Sequence, residues 1–260
     1  MNPWTQLSID YANQRSYLDD LFTVYPTIPE GIRNVHDKLW KIAENAFKEK
    51  DNTTLIKSLL DMDLFPIKDS YVAYLKRDSS SIERNPQTIN RLCGRLYEMG
   101  LEEIFERCTE PKETNRQIGP LFRRWLAKGT LGVPLLHSSA FLQTKDNAIL
   151  NAGDAELMSF AHRHLDYNRN KGLDFVAKFN NKFIIGEAKF LTDFGGHQDA
   201  QFADAISTLQ ATTDKAIKVA ILDGVLYIRP KRSNKMHDFI TKSDYNILSA
   251  LVLREFLYQV

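Results

Sequence analysis

Two apolar runs separated by Asn180-Asn181 constrain this chain more than any other feature of it. Asn tolerates the positive φ that a two-residue hairpin turn demands, so residues 172–179 and 183–190 are predicted as antiparallel strands closed by that turn. The turn then sets the register: Phe179 opposite Lys182, Ala177 opposite Ile184, Phe175 opposite Gly186. In the same register Asp174 faces Glu187. Directly opposed side chains share one face of a hairpin, with Cβ atoms about 4.5–5.5 Å apart. Lys189 lies two residues beyond Glu187 and shares that face. The other face, expected to hold Leu173, Phe175, Ala177, Ile184, Ala188 and Phe190, is apolar throughout and needs a covering helix. The charged face also carries Val176 and Ile185, so it is predicted to be partly buried.

Two opposed carboxylates in a half-buried sheet repel and lose hydration, so something positive must compensate. One lysine does part of this, and a divalent cation with oxygen ligands does it better. A carboxylate pair with an ammonium is also the equipment of metal-assisted phosphate hydrolysis. The metal neutralises the phosphate and acidifies a bound water, and the lysine holds or helps deprotonate that water.

Asp174, twelve intervening residues and then Glu187-Ala188-Lys189 resemble the PD-(D/E)XK nuclease motif. The following Thr192-Asp193-Phe194-Gly195-Gly196-His197-Gln198, leading into a helix, resembles type II restriction endonucleases of that superfamily. The resemblance covers roughly residues 150–230, and Leu173 stands where the family name has proline, a position that varies among such enzymes. It implies an α/β fold, a mixed sheet flanked by helices, and Mg²⁺-dependent cleavage of double-stranded DNA at a specific short sequence. It further implies Asp174, Glu187 and the backbone carbonyl of Ala188 as metal ligands and Lys189 as the catalytic lysine. Some members add an acidic residue from the helix before the hairpin, for which Asp154 or Glu156 is available. The expected assembly is a homodimer, since two symmetric sites cut two strands. A restriction enzyme also requires a cognate DNA methyltransferase to protect its host. The rival functions are a repair or recombination nuclease of the same fold, and a DNA-binding module without catalysis. An intact trio speaks against the second.

The rest of the chain divides in character. Val35, Leu39, Ile42, Ala43 and Phe47 recur at three- and four-residue spacing, one stripe of an amphipathic helix over residues 34–50. Further helices are predicted at 54–62, 69–76, from Asn85-Pro86 to Gly100 with Asn85 as cap, and at 120–128. Trp125 on the last of these reads as core, with Arg116, Arg123, Arg124 and Lys128 around it as weak DNA candidates. After residue 131 strand signals enter. A helix at 155–164 precedes the hairpin, and a helix at 199–212 links it to a strand at 217–222. Asp223-Gly224 reads as a hairpin turn into a strand at 225–228, and 245–258 as an apolar helix. The only segment left for a first core strand is 165–168. We therefore expect a helical region, 1–130, serving DNA binding, dimerisation or both, and a catalytic core, 131–260.

Composition excludes several classes. Thirty-four Lys and Arg against 33 Asp and Glu leave a formal charge of +1, so no polybasic surface coats the whole protein, although a local one remains compatible with nucleic acid. No apolar run is long enough to span a bilayer, and the first residues lack the build of a signal peptide. Two cysteines, Cys93 and Cys108, make neither a disulfide scaffold nor a zinc site, so a cytoplasmic, reduced protein is expected. Two segments are candidates for DNA contact. Gly196, His197, Gln198 and Gln201 open the helix after the hairpin, where glycines admit a phosphate and glutamines can read an adenine edge. Arg229, Lys231, Arg232 and Lys235 follow the last predicted strand, with Lys242 beyond, and suit a phosphate backbone.

Overall fold

A computed structural model describes residues 1–14, 16–26, 34–110, 117–228, 230 and 233–260. The chain forms two compact units, Met1–Thr27 with Thr114–Val260, and Ile28–Glu113. The first unit opens with α1 (Pro3–Ala12) and α2 (Tyr17–Val24), two helices that the sequence pattern does not announce.

The second unit is helical: α3 (Asp37–Glu49), α4 (Asn52–Leu60), α5 (Val72–Arg77), α6 (Ser81–Arg84) and α7 (Pro86–Thr109). Its core gathers the predicted stripes, with Leu55, Ile56, Leu59, Ile89, Leu92 and Leu96 buried together. Gly100, at φ 77°, breaks α7 into two helical stretches, as its position after the apolar stripe predicts. Asn85 occupies the cap position, but its side chain donates to the Ser81 carbonyl at 2.7 Å and caps nothing. Cys93 and Cys108 are buried free thiols in this core.

The chain re-enters the first unit through α8 (Ile118–Ala127), then β1 (Leu135–Leu136), α9 (Ser138–Gln143), β2 (Ala148–Leu150) and α10 (Asp154–Leu165). The hairpin follows as β3 (Phe175–Phe179) and β4 (Lys182–Leu191). After it come α11 (His197–Leu209), β5 (Ala216–Gly224), α12 (Lys235–Lys242), β6 (Ile247–Leu248) and α13 (Leu253–Gln259). The six strands lie in chain order in one mixed sheet. The pairs β1–β2, β4–β5 and β5–β6 are parallel, and β2–β3 and β3–β4 antiparallel. This is the helix-flanked mixed sheet, with a mainly helical first half, that the hairpin and crossover helix predict.

The hairpin turn is as expected: Asn180 and Asn181 take φ of 49° and 61°, and the pairs run from Phe175–Gly186 to Phe179–Lys182. Phe175 turns to α8 and meets the Phe122 ring at 6.3 Å. Val176 and Ile185 turn to the opposite face, where Leu157 and Phe160 of α10 cover them. Leu173 is buried with this second group, because it precedes the paired strand and escapes its alternation.

Three further expectations fail. Residues 165–168 form no strand, and β1 and β2, of two and three residues, supply the sheet edge instead. Asp223-Gly224 is no hairpin turn. Gly224 still pairs with Leu191, so close that a Cβ there would lie 2.0 Å from the Leu191 carbonyl oxygen. Its φ of 93° then turns the chain into a 3₁₀ segment, Val225–Tyr227, in place of the expected strand. The segment expected as one apolar helix at 245–258 begins as β6, parallel to β5, and only then becomes α13.

Candidate active site

Asp174, Glu187 and Lys189 come together beside the end of the β3–β4 hairpin remote from its turn, with Lys189 between the two carboxylates. Asp174 sits one residue before β3, and its backbone N–H donates to the Gly186 carbonyl at 3.1 Å, so that Asp174 and Phe175 both lie opposite Gly186 and the expected direct Asp174–Glu187 pairing is displaced by one residue. Its carboxylate is held by the backbone of β4: the Ala188 N–H donates to Oδ2 at 3.0 Å. The carbonyl of a strand residue leaves on the same edge as its N–H, so Ala188 presents both backbone groups toward Asp174. Glu187 is 2 % exposed, and Lys189 rests its ammonium on Glu187 Oε1, with Asp174 Oδ2 at 3.9 Å.

Four further charged groups join them. Lys171 Nζ reaches Glu187 Oε1 at 3.2 Å and also pairs with Asp204 Oδ2 of α11. Asp204 Oδ2 stands 3.9 Å from Lys189, so two ammoniums and two carboxylates alternate around one small square. Arg123 of α8 pairs with Asp154, at the start of α10, and lies 3.8 Å from Asp174 Oδ1. Lys171 and Asp204 are not among the sequence candidates, and Arg123 enters there only as a weak DNA candidate. The available signal is slight: Asp204 flanks the apolar stripe Phe202, Ala205, Ile206 and Leu209 on the helix that crosses back over β4.

Burial is the main force on these groups. It pushes the Asp174 carboxyl above the usual carboxylate range, and the charge of Glu187 adds to that, while Lys189, the Ala188 N–H and Arg123 oppose it. Burial likewise lowers Lys171, against the pull of Glu187. The positive groups therefore compensate the Asp174 carboxylate only in part. Glu187 Oε2 is buried with no hydrogen-bond partner, an expensive condition for an ionised oxygen.

That orphaned oxygen, near the buried Asp174 carboxylate, fits a divalent cation. Among the described residues no group of three or more His, Cys, Asp or Glu side chains forms a metal cage. The groups here that could hold such a cation are the two carboxylates, Asp174 and Glu187, with the Ala188 carbonyl beside them. Mg²⁺ accepts such a sparse set, keeping several waters and using substrate phosphates for the rest.

The other predicted residues fall elsewhere. Glu156 accepts from the Gly153 N–H at 3.2 Å, at the start of α10, and lines an open cleft of about 650 Å³ with His137, Ser138, Asn151 and Arg163. Its neighbour Asp154 stands nearer the trio, through Arg123. Gly196, at φ 58°, starts α11, and His197 is exposed beside it. Gln198 is buried and spends both ends of its amide on Thr192: Oε1 accepts from the backbone N–H, and Nε2 donates to Oγ1. Gln201 is half-buried on the next turn. Arg229, Lys231 and Arg232, and Arg116 with them, lie outside the described residues. No described helix is long and apolar enough to cross a membrane.

The family model described as Tsp45I type II restriction enzyme matches residues 2–260. No curated protein and no solved structure matches the chain.

Proposed function

The chain belongs to the Tsp45I type II restriction enzyme family, a site-specific deoxyribonuclease family acting on DNA, and from that premise we propose that Asp174, Glu187 and Lys189 form its PD-(D/E)XK catalytic centre. The observation that carries this reading is the meeting of Asp174 and Glu187 at Lys189, with Glu187 Oε2 left buried and unpartnered.

Mg²⁺ is the proposed cofactor, held by Asp174, Glu187 and the Ala188 carbonyl. When bound, it supplies neutralisation of the phosphate charge and a lowered pKa for water. The chain's own groups do the rest. The Ala188 N–H keeps Asp174 Oδ2 in place. Lys189 Nζ, anchored as an ammonium at Glu187 Oε1, is assigned the role of holding the attacking water by donating a hydrogen bond to its oxygen, and would take up that water's proton only after giving up one of its own. Lys171 offers positive charge to the phosphate oxygens as negative charge grows on them.

The substrate is double-stranded DNA with a short specific sequence. Gly196, His197 and Gln201 at the exposed start of α11 are the nearest proposed DNA contacts, with Gln198 bracing the loop that carries them. Arg229, Lys231 and Arg232 are proposed to contact phosphates on sequence grounds. A homodimer supplies the second strand's site, with DNA contacts or dimer contacts from the helical region 1–130, and a cognate methyltransferase protects the host. A cytoplasmic location goes with that pairing.

Incubation with phage DNA and Mg²⁺ tests the reading. Discrete fragments are expected; a smear would remove sequence specificity, and intact DNA at every divalent cation tried would remove the catalytic centre.

A further inference from the structure

The proposed centre rests on α8 as well as on its own hairpin. α8 presents two residues to Asp174, and they are four positions apart, so they share one helix face. The first is Gly119. A Cβ placed there would lie 3.1 Å from Asp174 Oδ1, closer than side chains tolerate without a shift of a few tenths of an ångström. Gly119 is outside the positive-φ region; it lies in the first turn of α8 just before Pro120, whose ring already disfavours a Cβ on a helical neighbour, and the close approach of Asp174 Oδ1 is a second constraint on the same position. What the missing side chain leaves is a slot, and Asp174 Oδ1 fills it. The second is Arg123, 3.8 Å from the same oxygen and paired with Asp154 on the far side. The other carboxylate oxygen is already tied to the Ala188 N–H at 3.0 Å.

We propose that Gly119 and Arg123 are positioning residues that set the carboxylate plane of Asp174 for the cation, Gly119 by the space it leaves and Arg123 by holding Oδ1 from the open side. Resting on the proposed nuclease reading, this gives α8, a helix of the chain's first half, a part in the reaction that involves no contact with substrate. A carboxylate boxed on both oxygens keeps one orientation, and cleavage rates fall steeply when a ligand is misplaced by fractions of an ångström.

The test uses the full-length protein with Gly119→Ala, Arg123→Ala and Arg123→Lys. Gly119→Ala puts a Cβ before the Pro120 ring in helical backbone, so it is expected to stay folded but to melt below the wild-type temperature. It is also expected to weaken Mg²⁺ binding severalfold, measured by calorimetry without DNA, and to slow single-turnover cleavage about tenfold or more. In an Asp174→Ala background the same change should leave Mg²⁺ binding unaltered, since nothing remains to displace. Arg123→Ala should lower kcat with duplex affinity in Ca²⁺ unchanged, and Arg123→Lys should recover much of the loss. Wild-type Mg²⁺ binding and cleavage by Gly119→Ala would overturn the slot. A loss of duplex affinity in Arg123→Ala that matches the loss of rate would make Arg123 a DNA contact instead. A wild-type protein that cuts nothing sinks the nuclease reading, and the calorimetric comparison then decides the positioning alone.

Discussion

Lys189 rests its ammonium on Oε1 of Glu187, while Oε2 of the same carboxylate is buried with no hydrogen-bond partner. A lone pair held this way gains from any cation that reaches it. Mg²⁺ should therefore stabilise the folded protein by mass action, by about 2.7 kcal/mol at a concentration a hundredfold above its Kd. Thermal melts of wild type and Glu187→Gln, with and without Mg²⁺, measure the effect. The wild type should gain and the variant should not; an equal gain in both would place the cation elsewhere.

The trio also makes a kinetic prediction. Asp174→Ala and Glu187→Ala each remove a proposed ligand, and Lys189→Ala removes the proposed holder of water. Each should cut the cleavage rate by orders of magnitude. Lys189→Ala should still shift a duplex in Ca²⁺, because the lysine acts on the water and not on affinity. Near wild-type cleavage by that variant would take the lysine out of the mechanism.

How far the site is legible in the sequence follows from which contacts are local. Asp174, Glu187 and Lys189 can be placed together because one turn, Asn180-Asn181, sets every pair of the hairpin. Asp204 and Arg123 reach the same spot from α11 and α8, and no local periodicity says where a helix will lie across a sheet. The failed turn at Asp223-Gly224 has a similar cause. The dipeptide has hairpin chemistry, but the free edge of β5 is taken by β6, more than twenty residues on. Tertiary pairing then outweighs the local signal. Short β1 and β2 carry too few residues to show an alternation at all.

Asp223 itself yields a prediction about pH. It is fully buried, and burial pushes its carboxyl up to about 6, although Ser249, Ala250 and Tyr25 donate to it and pull the other way. The folded pKa lies above that of the unfolded chain, near 3.9. Between about 4 and 6 the native state thus keeps a proton that the unfolded state has released. The stability tied to the neutral form is complete below about 4 and is lost as pH rises through about 6, at up to roughly 1.4 kcal/mol per pH unit. Urea midpoints across that window should fall more steeply in wild type than in Asp223→Asn. Asp174 is raised too, but it is common to both proteins and cancels in the comparison. Parallel curves would show that Asp223 is already ionised in the folded state at pH 4.

The last prediction separates base reading from phosphate holding. Gln201 sits half-buried on α11, past the exposed His197, whereas Gln198 is occupied with Thr192. If Gln201 reads a base edge, Gln201→Ala should weaken cognate binding by roughly 1–3 kcal/mol and leave non-specific binding alone. Gln198→Ala should loosen the loop between β4 and α11, and so weaken cognate and scrambled duplexes together. Replacing any one of Arg229, Lys231 and Arg232 should likewise weaken binding to all sequences. Unlike Gln198→Ala, it should also flatten the dependence of log K on log salt by about one unit, as follows when one phosphate fewer is neutralised by the protein. Titrations of cognate and scrambled duplexes at several salt concentrations, in Ca²⁺ to prevent cutting, separate the three behaviours. If Gln201→Ala loses affinity equally for both duplexes, α11 tracks the backbone. Sequence reading must then come from another part of the chain, with the helices of residues 28–113 the first place to look.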